Sequence, residues 1–286
     1  MKKIILTALL LGTFSQVFSA DKKYKVSSPN GVLSMELTVG KDLSYSVTDN
    51  GNVLLKDNTI SLNIEGKGEI GTNAKVTSKK TNKISETIVA PFYRQKEFVA
   101  SYNSLTLKLN NGFALELRAY DSGVASRFST TNKKADYVIN GETAEFNFTS
   151  NHKAYIPYST NLKKQDAMAF QATYDVEPLS KASNVLAFTP LTVDCGSAKV
   201  TIMESDLEAY PGLFLKSNGQ GFNGYFSKYP KTTDFYEWRV QEYVTSTEDY
   251  IAKFKGARTM PWRIIAIAHD EKEMPTNNLV YALASS

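Results

Sequence analysis

Carboxylates are the side chains of this sequence with the widest scope for chemistry on a ligand. Paired carboxylates a few ångströms apart act as acid and as base or nucleophile in glycoside hydrolysis. The chain has 29 Asp and Glu residues, and their spacing singles out no pair. Glu204, Asp206 and Glu208 alternate along an extended stretch and would share one face of a strand. That face is either an acidic cluster or a solvated strand edge.

Flat aromatic side chains form a second candidate group. Four of them, Tyr236, Trp238, Tyr243 and Trp262, could present apolar ring faces to a sugar. The alternative is that they pack the core, as aromatic residues do in all-β proteins. The sequence leaves both interpretations open.

Several other kinds of chemistry are disfavoured. Cys195 is the only cysteine and the histidines number two, which argues against a disulfide framework and a cysteine-based zinc site. Residues 66–71 match the pattern G-x-G-x-x-G, but a polar, strand-like segment follows in place of the helix that holds a nucleotide phosphate. We therefore expect a turn there. The net charge of +4 is too small to indicate a nucleic-acid partner.

The first twenty residues read as a signal peptide. Lys2 and Lys3 precede an apolar run over residues 4–11, and Val17 and Ser19 supply small residues for cleavage. The run is shorter than the roughly 20 residues that a membrane span needs. We expect an exported chain, periplasmic or extracellular, with no membrane span and a single domain over residues 21–286.

Hydrophobic alternation with a period of two runs through this domain. It is clearest over residues 32–39 and on both sides of Asn110, Asn111 and Gly112, where it predicts a hairpin. Asn50 and Gly51 predict another tight turn. Because no stretch keeps helical periodicity for three turns, we expect an all-β sandwich or barrel.

Five segments in order resemble the N-terminal domain of glycoside hydrolase family 97, a family of α-glucosidases and α-galactosidases. They are SSPNG (27–31), RAYDSGVASRF (118–128), YDVEPLS (174–180), ESDLEAYPGL (204–213), and MPWR (260–263) followed by LVY (279–281). The resemblance covers nearly the whole chain after residue 20. It implies a large β-super-sandwich of the mutarotase-like kind with few short helices.

The resemblance also implies where catalysis takes place. In the family a (β/α)₈ barrel follows this domain and supplies the general acid and base. The chain ends at Ser286, about where the barrel would begin. We therefore expect no catalytic residue in this chain, in a stand-alone or truncated form, and we leave its enzyme status open.

Site residues are implied by the same resemblance. Gln171, three residues before Tyr174, matches a family glutamate that binds calcium at the barrel mouth. Glutamine keeps a carbonyl oxygen that calcium accepts but lacks the charge. We expect no metal or cofactor, with calcium only alongside a barrel partner. Gln171 and Tyr174 would lie at a rim facing substrate or barrel, with Trp262 and Arg263 nearer the strand framework; alternatively, the last two are structural and Arg263 pairs with a buried carboxylate.

The function implied is that of a non-catalytic, carbohydrate-binding accessory module. It would support hydrolysis of α-linked glucosides or galactosides by a barrel polypeptide, with an α-glucoside or α-galactoside oligosaccharide as the carbohydrate partner. One alternative is an independent carbohydrate-binding protein with an aromatic platform. Another is a sugar epimerase, whose acid and base would have to include His152 or His269.

Overall fold

The regular secondary structure of the described residues is almost entirely β-strand. The computed structural model describes residues 21–159, 173–236 and 241–285. Strands make up 58% of the described residues and helices 5%, which confirms the all-β prediction. The strands of the described residues are β1 Lys22–Ser27, β2 Leu33–Val39, β3 Leu43–Asp49, β4 Asn52–Ile64, β5 Gly68–Glu69, β6 Val76–Val89, β7 Glu97–Leu109, β8 Phe113–Tyr120, β9 Gly123–Thr130, β10 Asp136–Asn147, β11 Lys153–Ile156, β12 Asp175–Pro178, β13 Leu191–Asp194, β14 Lys199–Ser205, β15 Phe214–Ser217, β16 Gly221–Tyr225, β17 Pro230–Phe235, β18 Glu242–Thr247, β19 Ala252–Lys255 and β20 Trp262–Ala268.

The helical segments of the described residues are short. They are the 3₁₀ turns Leu179–Lys181 and Glu271–Thr276 and one four-residue helix, α1, Leu279–Ala282. A capping box at Asp270 and Glu273 begins the second 3₁₀ turn, because each side chain satisfies a backbone N–H of the other residue. Among the described residues, no helix is long and apolar enough to cross a membrane.

Two large antiparallel sheets form a sandwich. The first sheet has the order β1-β2-β3-β4-β10-β16-β15, with β5 added on β4 and β19 on β10. The second sheet has the order β12-β11-β13-β14-β20-β9-β8-β7-β6. Strands β17 and β18 pair only with each other and form an exposed arm.

The core lies between the two sheets because the alternating apolar residues of each sheet face the other. Leu37 and Leu62 of the first sheet belong to the same buried cluster as Leu115 and Ile265 of the second. A second buried cluster, centred on Trp262, lies on the opposite face of the second sheet. We call that opposite face the outer face; helix α1 covers part of it.

Tight turns occur where the sequence predicts them. Asn50 and Gly51 both have positive φ, 44° and 83°, in the turn between β3 and β4. Gly112 has φ 84° in the turn between β7 and β8. Residues 66–71 also form turns and a short strand, with φ 70° at Gly66 and Gly68, and include no helix.

Candidate functional site

The outer face of the second sheet contains a cavity of about 340 Å³. Part of its floor is a row of small side chains, Thr192, Thr201 and Ala266, which lie opposite one another on β13, β14 and β20. The next row carries the larger Met203 and Ile264, also opposite one another. The step from large to small side chains between the two rows leaves a depression in the sheet surface. We call it the Tyr174 cavity.

Tyr174 forms part of the wall of this cavity. It keeps 41% of its surface exposed, and its hydroxyl donates a hydrogen bond to the carbonyl oxygen of Pro190 at 3.3 Å. Met274, from the second 3₁₀ turn, contributes to the lining as well. Gln171 and Trp238 lie outside the described residues. Of the two predicted rim residues, the structure therefore places one, Tyr174, at a concave surface.

The polar groups at the cavity are paired with one another or with neighbouring side chains. The hydroxyls of Thr192 and Thr201 share a hydrogen bond of 2.9 Å. The ammonium group of Lys199 lies 2.7 Å from a carboxylate oxygen of Asp194 and 3.7 Å from one of Glu271. Its hydrogen bond lowers the pKa of Asp194 and raises the pKa of Lys199, because each charge favours the other.

Trp262 lies on the same outer face but is fully buried. The guanidinium carbon of Arg127 is 4.1 Å from the indole centroid and that of Arg118 is 4.7 Å away. Glu116 bridges the two arginines, with N–O distances of 2.8 Å and 3.1 Å. The indole ring therefore contacts two paired cations through cation–π interactions and is not exposed to solvent.

Arg263 points the other way, into the interior between the sheets. Its Nε and Nη2 donate to the two oxygens of Glu142 on β10 at 2.6 Å and 2.8 Å, and its Nη1 donates to Glu204 on β14 at 2.8 Å. Tyr210 donates a further hydrogen bond of 2.7 Å to Glu142. Burial raises the pKa of Glu204 although Arg263 opposes the shift. Because Glu142 belongs to the first sheet, this network connects the two sheets.

The acidic run at residues 204–208 does not form one face, which corrects that expectation. Strand β14 ends at Ser205, and Asp206 takes a left-handed φ of 63°. Asp206 therefore turns away from Glu204 and pairs with Arg127 at 3.3 Å, while Glu208 is exposed. Among the described residues, no group of three or more His, Cys, Asp or Glu could hold a metal ion.

The histidines and the cysteine have structural surroundings. His269 Nε2 lies 3.0 Å from both carboxylate oxygens of Asp49. His152 packs edge-on against Phe148, and burial lowers its pKa. Burial raises the pKa of the Cys195 thiol to about 12, so at neutral pH it is a poor nucleophile.

Sequence reasoning missed the polar residues that matter most here. Glu142, Thr192 and Thr201 lie on strands with ordinary alternation, and no local motif marks them. They meet Arg263 or Tyr174 only because strands distant in the chain pair or pack together. The alternating alanines Ala266 and Ala268 in an otherwise bulky strand were the one available signal of a depression.

Comparison with known proteins defines the class of the domain. The family described as glycosyl-hydrolase 97 N-terminal matches residues 26–285, so the chain belongs to that family. A curated relative, a retaining alpha-galactosidase from Bacteroides thetaiotaomicron, is 37% identical over 297 residues, which cover 100% of this chain and 44% of that protein. The chain thus spans less than half the length of this relative.

Solved structures show the same fold. A glycoside hydrolase family 97 enzyme in complex with acarbose, from Pseudoalteromonas sp. strain K8, superposes with a TM-score of 0.69 at 19% identity and covers 89% of this chain and 38% of that one. A beta-arabinopyranosidase superposes with a TM-score of 0.67 at 20% identity, covering 86% and 40%. At these identities the likeness concerns architecture alone.

Proposed function

We propose that this chain is a non-catalytic accessory module of a family 97 glycosidase. It packs against a catalytic barrel and supports that barrel's hydrolysis of α-linked glucosides or galactosides. The observation that carries the proposal is the match to the family's N-terminal domain over residues 26–285, in a chain that spans 44% of an alpha-galactosidase. Two interior carboxylates, Glu142 and Glu204, also support the proposal. Both form ion pairs with Arg263, so they hold the structure together and are not a free acid and base.

The docking surface that we assign to the barrel is at the distal end of the β6–β7 hairpin. Val89 and Val99 are 58% and 67% exposed, and Phe92 between them is fully exposed. The register pairs Val89 with Glu97 and Val99 with Thr87, so both valines lie on one face of the hairpin. We call Val89, Phe92 and Val99 the hairpin patch. Val89 and Val99 are diagonal neighbours on that face, and exposed apolar side chains that lie together favour a protein partner.

Residues 278–281, near the C-terminus, contact the connection between β6 and β7. The rings of Tyr93 and Tyr281 stack with centroids 3.7 Å apart, and Tyr93 donates a hydrogen bond of 2.8 Å to Asn278. Asn278 also donates to Gln95 at 2.9 Å. Ser285, the last described residue, donates its backbone N–H to Asp206, which follows β14, at 3.1 Å. In the proposed arrangement, the barrel covers the hairpin patch.

A chimera tests the proposal. Residues 26–285 replace the matching region of the Bacteroides thetaiotaomicron alpha-galactosidase, and turnover of an aryl α-galactoside is measured. We expect activity well above that of the same enzyme with the region deleted. A folded but inactive chimera would argue against the accessory role.

Patch variants of the chimera locate the docking surface. Val89→Lys combined with Val99→Lys places two charges in the contact, so we expect lower activity and a lower melting temperature. Val53→Lys is the matched control, because Val53 is 44% exposed on β4 and outside the patch. If both variants behave alike, the barrel docks elsewhere.

Export belongs to the same proposal and rests on the sequence of residues 1–20. When the full chain is produced in a Gram-negative host, we expect mass spectrometry to find the protein outside the cytoplasm, cleaved close to residue 20. An intact Met1 on cytoplasmic protein would contradict export.

A further inference from the structure

We propose that the Tyr174 cavity binds one neutral sugar ring of an α-linked oligosaccharide. The choice of an α-linked ligand rests on the proposed function, whereas the cavity is defined by its own lining residues. Its volume of about 340 Å³ falls in the range of about 300–1,000 Å³ that is usual for small-molecule sites.

The shape of the cavity suits a flat ring with two unlike surfaces. A pyranose has apolar C–H faces and a rim of hydroxyl groups. The alanine methyls of Ala266 and Ala268 and the side chain of Met203 supply apolar lining. Tyr174 adds an aromatic wall with part of its surface open to solvent. An aromatic ring with a polar tip is suited to a contact that is partly apolar and partly wet.

The hydroxyl pair on the floor can bind sugar hydroxyls. Each threonine hydroxyl has one hydrogen to donate and two lone pairs. Thr192 and Thr201 use one hydrogen between them in their 2.9 Å bond, and this leaves a second hydrogen and further lone pairs for a ligand. Sugar hydroxyls are themselves both donors and acceptors, so they match this pair.

The electrostatics of the described lining favour a neutral ligand over an anion. Among the lining residues that the structure describes, Lys199 is the cation, and Asp194 at 2.7 Å and Glu271 at 3.7 Å offset its charge. An anion would have to displace these carboxylates, whereas a neutral ring can leave the ion pair intact. The cavity therefore fits a sugar better than a phosphate or a carboxylic acid.

Titration calorimetry of the purified full chain with maltotriose and with melibiose tests the site, and inorganic phosphate serves as the anionic probe. We expect saturable binding of at least one sugar and none of phosphate. Tyr174→Ala should weaken binding, and Thr192→Val with Thr201→Val should weaken it by about tenfold, the loss of one or two hydrogen bonds. Tyr229→Ala, which truncates a tyrosine that is 47% exposed away from the cavity lining, should leave binding unchanged.

Each result decides a separate point. Absence of sugar binding by the unaltered chain overturns the site, even if the chimera with the alpha-galactosidase is active. Sugar binding that survives both Tyr174→Ala and the double threonine variant also overturns it, because the sugar is then bound elsewhere. Loss of binding in the folded cavity variants supports it, with melting curves showing that they fold. An inactive chimera combined with cavity-dependent binding would overturn the accessory role and keep the cavity.

Discussion

Arg263 illustrates how a buried charge is tolerated in this sandwich. It is 7% exposed and is bound by Glu142 and Glu204. The three side chains carry one positive and two negative charges when all are ionised, so the group has an excess carboxylate. Burial is the largest cause of the raised pKa of Glu204 and outweighs the opposing effect of Arg263.

This imbalance predicts unequal effects of substitution. Arg263→Met would leave two buried carboxylates without a cation, and we expect the free energy of unfolding to fall by about 3–5 kcal/mol. Glu204→Gln keeps a carbonyl oxygen for the backbone N–H of Leu213 and leaves Arg263 paired with Glu142. We expect its cost to be below about 1 kcal/mol. Urea unfolding measures both, and a larger loss for Glu204→Gln would contradict this account.

Glu204 should also leave a signature in the pH dependence of stability. Its pKa in the folded chain is raised above the ordinary 4.5. Between 4.5 and that raised value the folded state binds the proton more tightly than the unfolded state. The stability contributed by Glu204 therefore falls as the pH rises across this window and is constant on either side.

Urea unfolding of the unaltered chain and of Glu204→Gln, from about pH 4 to pH 8, measures this contribution. The stability of the unaltered chain minus that of the variant should decrease with rising pH and then level off. An increase across the same range would mean that the paired arginine dominates and that the pKa is lowered.

At the scale of elements, the β8–β9 turn depends on a glycine. Gly123 has φ 149°, and a Cβ there would lie 2.5 Å from the carbonyl oxygen of Ile265 and 2.7 Å from Leu279. The turn thus lies directly against β20 and helix α1. The close packing therefore explains why a glycine occupies position 123 of the segment 118–128, which the sequence alone did not reveal.

Alanine at this glycine should be costly. We expect Gly123→Ala to lower the free energy of unfolding clearly more than Gly112→Ala. The second position has φ 84° with nothing within 4 Å of the added Cβ, so its cost is the backbone strain alone, about 1–2 kcal/mol. Thermal or urea unfolding of the two variants makes the comparison. Equal losses would show that β20 can move aside.

Much of the strand pattern was predictable from sequence, and the reason is local. In β2 and β3 every second residue is buried, and the period of two records this directly. The long strand β6 is mostly exposed at the sheet edge, so it lacks the alternation that would have predicted it. The pairing of β14 with β20 and of β4 with β10 joins segments far apart in the chain, and no local pattern encodes it.

The candidate site was predictable only in part for the same reason. Tyr174 followed from a family resemblance. Thr192, Thr201 and Ala266 become neighbours through the order of strands in the second sheet. Glu142 reaches Arg263 across the sandwich, where packing of the two sheets decides the contact. Such contacts depend on tertiary structure and leave little trace in a single sequence.

At the scale of the whole molecule, the sandwich core and the surface features have different roles. The sandwich core and the Arg263 network hold the two sheets together. The second sheet contributes both the Tyr174 cavity, on its outer face, and the hairpin patch, at its β6 edge. In our proposals the hairpin patch contacts the barrel and the Tyr174 cavity binds the sugar, so the two contacts lie at different places on this sheet. The proposed chemistry of bond cleavage then belongs to the barrel.

Turnover by the purified chain alone is the most direct measurement of that division. Aryl α-galactosides and aryl α-glucosides are incubated with the chain, and the full-length alpha-galactosidase relative serves as the positive control. The account predicts release of the aryl alcohol by the relative and none above the blank by this chain. Hydrolytic activity that co-elutes with the chain in size-exclusion chromatography and is lost on heating would contradict a non-catalytic module.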